Sequence, residues 1–267
     1  MTNSFFSIKL LPPCLDISII IPVKNERENV SILAIEINEV MNKLLLSWEC
    51  VWVDDGSSDG TLEELKKIHA QNLKHRVVSL AENYGQSIAL AVGFIKASGN
   101  IFVTMDGDGQ NDPEDIPNML NLLNKESLDM VNGIRIKRED SLIRKISSKI
   151  ANGFRNWITE DKIKDVGCAL RVFRRECVEN LVVFKGMHRF LPTLVRLNGY
   201  NRIAEIPVKH RKRIRGETKY GINNRLWVGL FDTFMVRWLS KRVIFPEIKF
   251  ELLSENYTKY GKCLSHG

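Results

Sequence analysis

A chain of 267 residues with 44% hydrophobic and 27% charged side chains is long enough to bury a substantial core and too apolar to stay disordered. Its 39 Lys and Arg against 32 Asp and Glu leave a formal charge of +7, which points to an anionic partner without naming one. Five scattered cysteines, Cys14, Cys50, Cys168, Cys177 and Cys263, form no C-x-x-C pair, so reduced thiols in a cytosolic setting are favoured over a disulfide scaffold or a zinc site.

From the N-terminus, the apolar patch at Phe5 and Phe6 is interrupted by Lys9 and lacks a small-residue cleavage site, so it does not read as a signal peptide. Asp16 to Val23 (DISIIIPV) is a β-branched run stopped by Pro22, the pattern of a buried strand, and KNERENV opens a helix to about Met41. Trp48 to Asp55 (WECVWVDD) repeats the design. The turn GSSDGT then leads into the helix LEELKKIHA, for which Asp59 is a candidate N-cap. Arg76 to Ala81 predicts a third strand, and ENYGQSIALAVGFIKASG a helix closed by Gly99. Ile101 to Met105 is the next strand, ending in the acidic stretch FVTMDGDGQNDPED. Alternating strands and helices predict a mostly parallel sheet with helices on both faces and a site at the carboxyl ends of the strands.

Beyond Pro113 a helix leads to a strand at Leu128 to Ile136, then to an amphipathic helix from about Ser141 to Trp157. Val166 to Phe173 and Arg202 to His210 read as further strands. Arg202 to Arg215 (RIAEIPVKHRKRIR) concentrates basic residues that suit a phosphorylated ligand, nucleic acid or an anionic membrane surface. Asn224 to Val243 carries Trp227, Trp238 and other apolar residues between basic ends, which fits either core packing or residence in a membrane interface. No run of about 18 uncharged apolar residues spans a bilayer, and the last twenty residues read as a polar tail.

The chemistry concentrates at Asp106 and Asp108. Two carboxylates one residue apart repel in a nearly dry cleft, and a hard divalent cation with oxygen ligands relieves that repulsion. The loop is no EF-hand, because Asn111 and Pro117 stand where that motif needs glycine and glutamate. No G-x-G-x-x-G follows the first strand, which argues against a dinucleotide site. Taken singly, Asp54 and Asp55 before Gly56 also fit an ordinary turn.

In order, IIPVKNE, VDDGSSDGT, NYGQSIALAVGF, ASGNIFVTMDGDGQNDPEDIP and RIRGETKYG resemble the family 2 glycosyltransferases of the GT-A fold, within them the polyprenyl-phosphate (dolichyl- or undecaprenyl-phosphate) sugar transferases. The resemblance runs from about Ile17 to Arg242. It implies that Pro22 and Glu26 lie in a loop touching the nucleotide, and that Asp54 and Asp55 contact base and ribose. It also implies that Asp106, Asp108 and Gln110 hold Mg²⁺ or Mn²⁺ on the diphosphate of a nucleotide-sugar donor. Gly107 and Gly109 replace the common Ala and Leu of that motif, which should loosen the loop. Arg135, Arg144, Arg171, Arg213 and Lys219 match basic positions around the acceptor phosphate and diphosphate, with Arg213 grouped with Asp106 and Asp108 as catalytic. The acceptor implied is a polyprenyl phosphate at the cytosolic face of a membrane.

A phosphate acceptor is already anionic near neutral pH, its second pKa being about 6, so the basic stretch is expected to hold it and no base is required. Were the acceptor a hydroxyl, Asp165 or His188 could serve as base. The expected organisation is a catalytic domain over residues 1–220 and a membrane-interface helix with polar tail over 221–267, without a transmembrane span. The enzyme should then be cytoplasmic and peripheral, with a small membrane-protein partner as a further means of recruitment. Two other classes are compatible with parts of the sequence: a non-catalytic nucleotide-sugar-binding subunit of a membrane complex, and a nucleic-acid binder. The second lacks any nucleic-acid module, so no nucleic-acid partner is expected.

Overall fold

The computed structural model of the chain describes residues 8–10, 12–135, 153, 158, 161, 163–211 and 231–238. Its frame is a seven-stranded sheet of β1 (Leu15–Val23), β2 (Trp48–Asp54), β3 (His75–Ser79), β4 (Gly99–Thr104), β5 (Met130–Arg135), β6 (Arg171–Arg174) and β7 (Ile203–Val208). The spatial order is β3-β2-β1-β4-β6-β5-β7, parallel throughout except that β6 runs antiparallel to β4 and to β5. A strand covered on both faces has no polar side to show, which is why β1 and β2 read as near-continuous apolar runs. Ile17, Ile19, Ile21 and Val23 of β1 enter one core and Ile20 the other.

On the first face lie α1 (Arg27–Met41), α2 (Thr61–Gln71) and α4 (Ile116–Lys125), which bury Val30, Leu33, Ile37, Leu65, Met119 and Leu123 against the sheet. On the second lie α3 (Gln86–Lys96) and α5 (Leu191–Leu197), joined by Leu90, Phe94, Leu191 and Leu194. Phe94, Phe102 and Phe173 interlock there, stacked at 5.7 Å between Phe94 and Phe102 and edge-on to Phe173. Residues 231–238 are helical, and Val236 belongs to this second core.

Several expected boundaries shift for local reasons. Gly99 is not a helix cap but the first residue of β4; α3 stops at Lys96 with Ala97 already extended. Asp59 acts one position before the N-cap, accepting from the Thr61 N–H at 3.0 Å while Gly60 takes the cap position in a left-handed conformation. The strand expected from Val166 begins only at Arg171, because Asp165 captures the Gly167 N–H with its carboxylate and the Cys168 N–H with its carbonyl. The helix after Pro113 opens as a 3-10 turn, Pro113–Asp115, with Asp112 accepting from the Glu114 N–H at 3.0 Å. The amphipathic helix expected at 141–157 and the domain boundary expected at 220/221 lie outside the described residues.

Candidate active site

The strand order reverses at β1 and β4: from β1 the sheet grows through β2 to β3 on one side, and from β4 toward β7 on the other. In open α/β sheets the crevice at such a point, at the carboxyl ends of the strands, is where ligands bind. Pro22 and Val23 end β1 there, and Asp106 follows β4 by two residues. The acidic loop is not loose. A Cβ on Gly107 would overlap Val23 Cγ1, so the valine fills the space that a larger residue at 107 would take. Asn111 Oδ1 accepts the Asp106 N–H at 3.1 Å, and Asp108 Oδ1 accepts the Gln110 N–H at 3.1 Å. Across from it, the Arg211 N–H donates to the Gln110 carbonyl at 2.9 Å, Gln110 Nε2 donates to the Arg211 carbonyl at 3.3 Å, and Asn111 bridges to His210.

Although Asp106 keeps some access to solvent, burial and then the neighbouring Asp108 charge push its carboxyl up to about 6. Arg171 and Arg135 pull the other way, as does the 2.8 Å hydrogen bond from Gln86 Nε2 to Asp106 Oδ1. A carboxylate held this reluctantly ionised, one residue from a second, is a site that a divalent cation would relieve. Among the described residues no group of three or more His, Cys, Asp or Glu side chains could hold a metal. Two carboxylates alone still fit Mg²⁺ or Mn²⁺ chemistry, in which substrate phosphates and water supply the remaining ligands.

The residues expected to meet the nucleotide are brought to the same crevice, but their polar groups are largely engaged with the loops. Asp54 accepts from the Ser57 N–H and the Ser79 hydroxyl, each at 3.3 Å. Asp55 is buried, its two carboxylate oxygens accepting from the Tyr84 and Gly85 N–H groups at 2.8 and 2.9 Å. Lys24 Nζ donates to the Asp55 and Gly56 carbonyls, and Asn25 in a left-handed conformation bonds with Ser57 and Ser58, so the loops after β1 and β2 are laced together. Glu26 accepts from Asn29 Nδ2 at 2.6 Å, and its N–H donates to Thr61 Oγ1 at 2.9 Å.

The cations are more heavily committed than a charge count implies. Arg135 grips Asp165 with a bidentate pair of 2.8 Å contacts. Arg171, buried, donates to Asn132 Oδ1, the His188 carbonyl and the Val166 carbonyl. In the basic stretch, Arg202 pairs with Asp129, Lys209 with Glu114 and Asp112, and Arg211 with Glu36 and Asp112. These three side chains therefore pin β7 and its continuation to the sheet and the acidic loop. Arg144, Arg213 and Lys219 lie outside the described residues.

Both residues considered as bases are likewise engaged. Asp165 holds Arg135, and His188 Nδ1 meets the Ser87 hydroxyl at 2.8 Å. That hydroxyl also accepts from the Gly186 and His188 N–H groups, at 3.0 and 3.4 Å. Gln86, His210, Glu36 and Asp112 were missed as parts of this region. Gln86 lay in the quoted NYGQ stretch, Asp112 in the acidic stretch and His210 in the basic run, whereas Glu36 on α1 had no signal.

The glycosyl transferase family 2 model matches residues 18–182, most of the sheet and both acidic turns. The chain belongs to this family. The family 2 chain is 39% identical over 230 residues to a dodecaprenyl-phosphate galacturonate synthase from Rhizobium johnstonii, covering 85% of this chain and 68% of that protein. It is 36% identical over 209 residues to an undecaprenyl-phosphate 4-deoxy-4-formamido-L-arabinose transferase from Salmonella choleraesuis, covering 78% of this chain and 63% of that one. Both relatives are polyprenyl-phosphate sugar transferases, and this family 2 member is a glycosyltransferase like them. Its fold is shared with glucosyl-3-phosphoglycerate synthase from Mycobacterium tuberculosis, at a TM-score of 0.61 with 19% identity over 91% of this chain and 85% of that one. It is shared also with a mannosyltransferase from Pyrobaculum calidifontis solved with GDP-Man and Mn²⁺, at a TM-score of 0.58 with 18% identity over 89% of this chain and 68% of that one.

Proposed function

We propose that this glycosyltransferase moves a sugar from a nucleotide-sugar to a polyprenyl phosphate, with inversion, at the cytosolic face of a membrane. The observation that carries the reading is the Asp106 and Asp108 pair at the carboxyl end of β4, beside the end of β1, in a chain whose relatives bear polyprenyl-phosphate transferase names. A divalent cation held by Asp106 and Asp108, Mg²⁺ or Mn²⁺, would neutralise the charge that gathers on the departing nucleoside diphosphate. The solved neighbours captured with Mn²⁺ support that choice of ion class.

Around that pair the chain's own residues orient and exclude. The laced loops after β1 and β2, with Pro22, Glu26, Asp54 and Asp55, form the donor wall, and Gln110 stands at the other rim of the acidic loop. An acceptor phosphate oxygen bonds to the anomeric carbon as the bond to the diphosphate oxygen breaks, and the phosphate gives up no proton. The engagement of Asp165 with Arg135 and of His188 Nδ1 with Ser87 agrees with a step that needs no base. Arg135 and Arg171 supply positive potential near Asp106, and the family resemblance assigns both of them, with Arg144, Arg213 and Lys219 outside the described residues, to the acceptor phosphate.

Membrane contact is given to the helix expected over residues 224–243, of which 231–238 are among the described residues. Phe231, Phe234, Met235 and Trp238 recur at helical spacing and are 80%, 58%, 36% and 59% exposed, whereas Thr233 and Val236 are buried. Among the described residues no helix is long and apolar enough to cross a membrane.

The test is transfer from a panel of labelled nucleotide-sugars, including galacturonic acid, mannose, glucose and amino-sugar donors, to a short-chain polyprenyl phosphate. Asp106→Asn and Asp108→Asn should each lower turnover about a hundredfold or more, the range for removing one preorganised charge contact. Transfer retained in either variant refutes the metal assignment, and no transfer to the lipid from any donor refutes the acceptor.

A further inference from the structure

The NYGQ turn brings its glutamine onto the central carboxylate. Gln86 opens α3, and its Nε2 donates to Asp106 Oδ1 at 2.8 Å. Its backbone is held on both sides. Before it, the buried Asp55 carboxylate takes the N–H groups of Tyr84 and Gly85, and Gly85 turns with φ of +93°, a conformation glycine adopts without strain. After it, the Ser87 hydroxyl accepts the Gly186 N–H at 3.0 Å and bonds His188. Asp106 is fixed in turn by its N–H on Asn111 Oδ1.

We propose that Asp55 and Gln86 form a positioning relay for Asp106. Asp55 holds the turn, the turn aims Gln86, and the Gln86 amide occupies Asp106 Oδ1, leaving Oδ2 as the oxygen that would meet a cation. Asp55 thereby acts through the loop, in addition to the base or ribose contact that the family resemblance implies. The two oxygens of its carboxylate are met by successive N–H groups, a charge-assisted arrangement that an amide cannot reproduce because its NH₂ would face one of them. This inference rests on the metal reading of Asp106 and Asp108 given above.

The experiment measures Mn²⁺ binding to the full chain without donor, by electron paramagnetic resonance of the free ion, alongside the Mn²⁺ dependence of transfer. Gln86 is exposed, so Gln86→Leu should fold normally and weaken Mn²⁺ binding by about 10- to 100-fold, the range for losing an outer-shell partner of a metal ligand. Excess Mn²⁺ should restore most of the turnover, which a merely destabilised protein would not show. Asp55→Asn should weaken binding similarly, and the double variant should be no worse than the more affected single one, because both act on one path. Asp106→Asn is the control. If it abolishes Mn²⁺ binding while Gln86→Leu binds Mn²⁺ like the unaltered chain, the relay is wrong and the metal site stands; if Asp106→Asn also binds Mn²⁺ normally, the metal reading itself fails.

Discussion

Asp106 and His75 are both driven toward their neutral forms, but neutral means protonated for one and deprotonated for the other. His75 is fully buried, accepts from Trp52 Nε1 at Nδ1 and meets Asn38 Oδ1 at Nε2; burial first, then the charges of His69 and Lys74, lower its pKa to about 4. Between about pH 4 and 6.5 the unfolded chain therefore carries a proton on His75 that the folded chain refuses, so this residue makes stability rise with pH. Asp106, raised to about 6, does the reverse: between about pH 4 and 6 the folded chain keeps a proton that the unfolded chain has lost, and stability falls with rising pH. Each shift corresponds to about 3 kcal/mol at most, and less for Asp106 because of its partial exposure. Urea unfolding in the presence of a chelator should give a shallow profile from pH 4.5 to 6.5 for the unaltered chain. Asp106→Asn should unmask a profile that rises with pH, and His75→Gln one that falls. Profiles that stay parallel to the unaltered chain would mean that neither group titrates as its surroundings dictate.

At the scale of elements, the continuation of β7 is fastened to the acidic loop by Asp112. This one carboxylate caps the Glu114 N–H, pairs with Arg211 at 2.9 Å and lies 3.5 Å from Lys209, while Arg211 reaches on to Glu36 of α1 at 2.6 Å. Asp112→Ala should cost about 1–2 kcal/mol, the range for a lost cap, and leave Arg211 and Lys209 short of a partner. Urea unfolding measures it, and a loss below a few tenths of a kcal/mol would contradict the role. This fastening was not legible in the sequence. The run from Arg202 to Arg215 displays its cations side by side, but the acids that hold them lie up to 175 residues away, so a solvent- or phosphate-facing cluster was the natural expectation. The antiparallel course of β6 was hidden for a related reason: VFR beside VGCAL is apolar whichever way it runs, and strand direction is set by pairing partners. By contrast β1, β2 and β4 announced themselves, because a strand buried on both faces leaves an apolar run that ends abruptly in polar loop residues. The DGDGQ loop was legible for the same reason, whereas the tightness of Gly107 against Val23 depends on a contact between that loop and the end of β1 that no local pattern reveals.

For the whole molecule, the question is how a chain without a described spanning helix would meet a lipid acceptor. The second core supplies an answer in the way residues 231–238 are seated. Val236 is drawn into the core that also holds Phe94 and Leu194, and Thr233 is buried beside it, so the opposite face of the helix is turned outward with Phe231, Phe234, Met235 and Trp238 on it. Leaving so much apolar surface exposed on one stripe is unfavourable, and burying the rest of each side chain would return about 1–2 kcal/mol. A stripe of that kind lies in the headgroup region with its aromatic rings at the acyl boundary. Because none of these side chains belongs to either core, replacing Phe231, Phe234 and Trp238 together with Ser should leave the unfolding midpoint near that of the unaltered chain. The same variant should bind vesicles containing anionic phospholipid at least about a hundredfold more weakly, as roughly 3 kcal/mol of lost apolar burial requires. Transfer to a water-soluble short-chain acceptor should survive while transfer to vesicle-borne acceptor falls. Vesicle binding that matches the unaltered chain would show that another surface meets the membrane, and a collapse of the unfolding midpoint would show that the stripe is covered by protein.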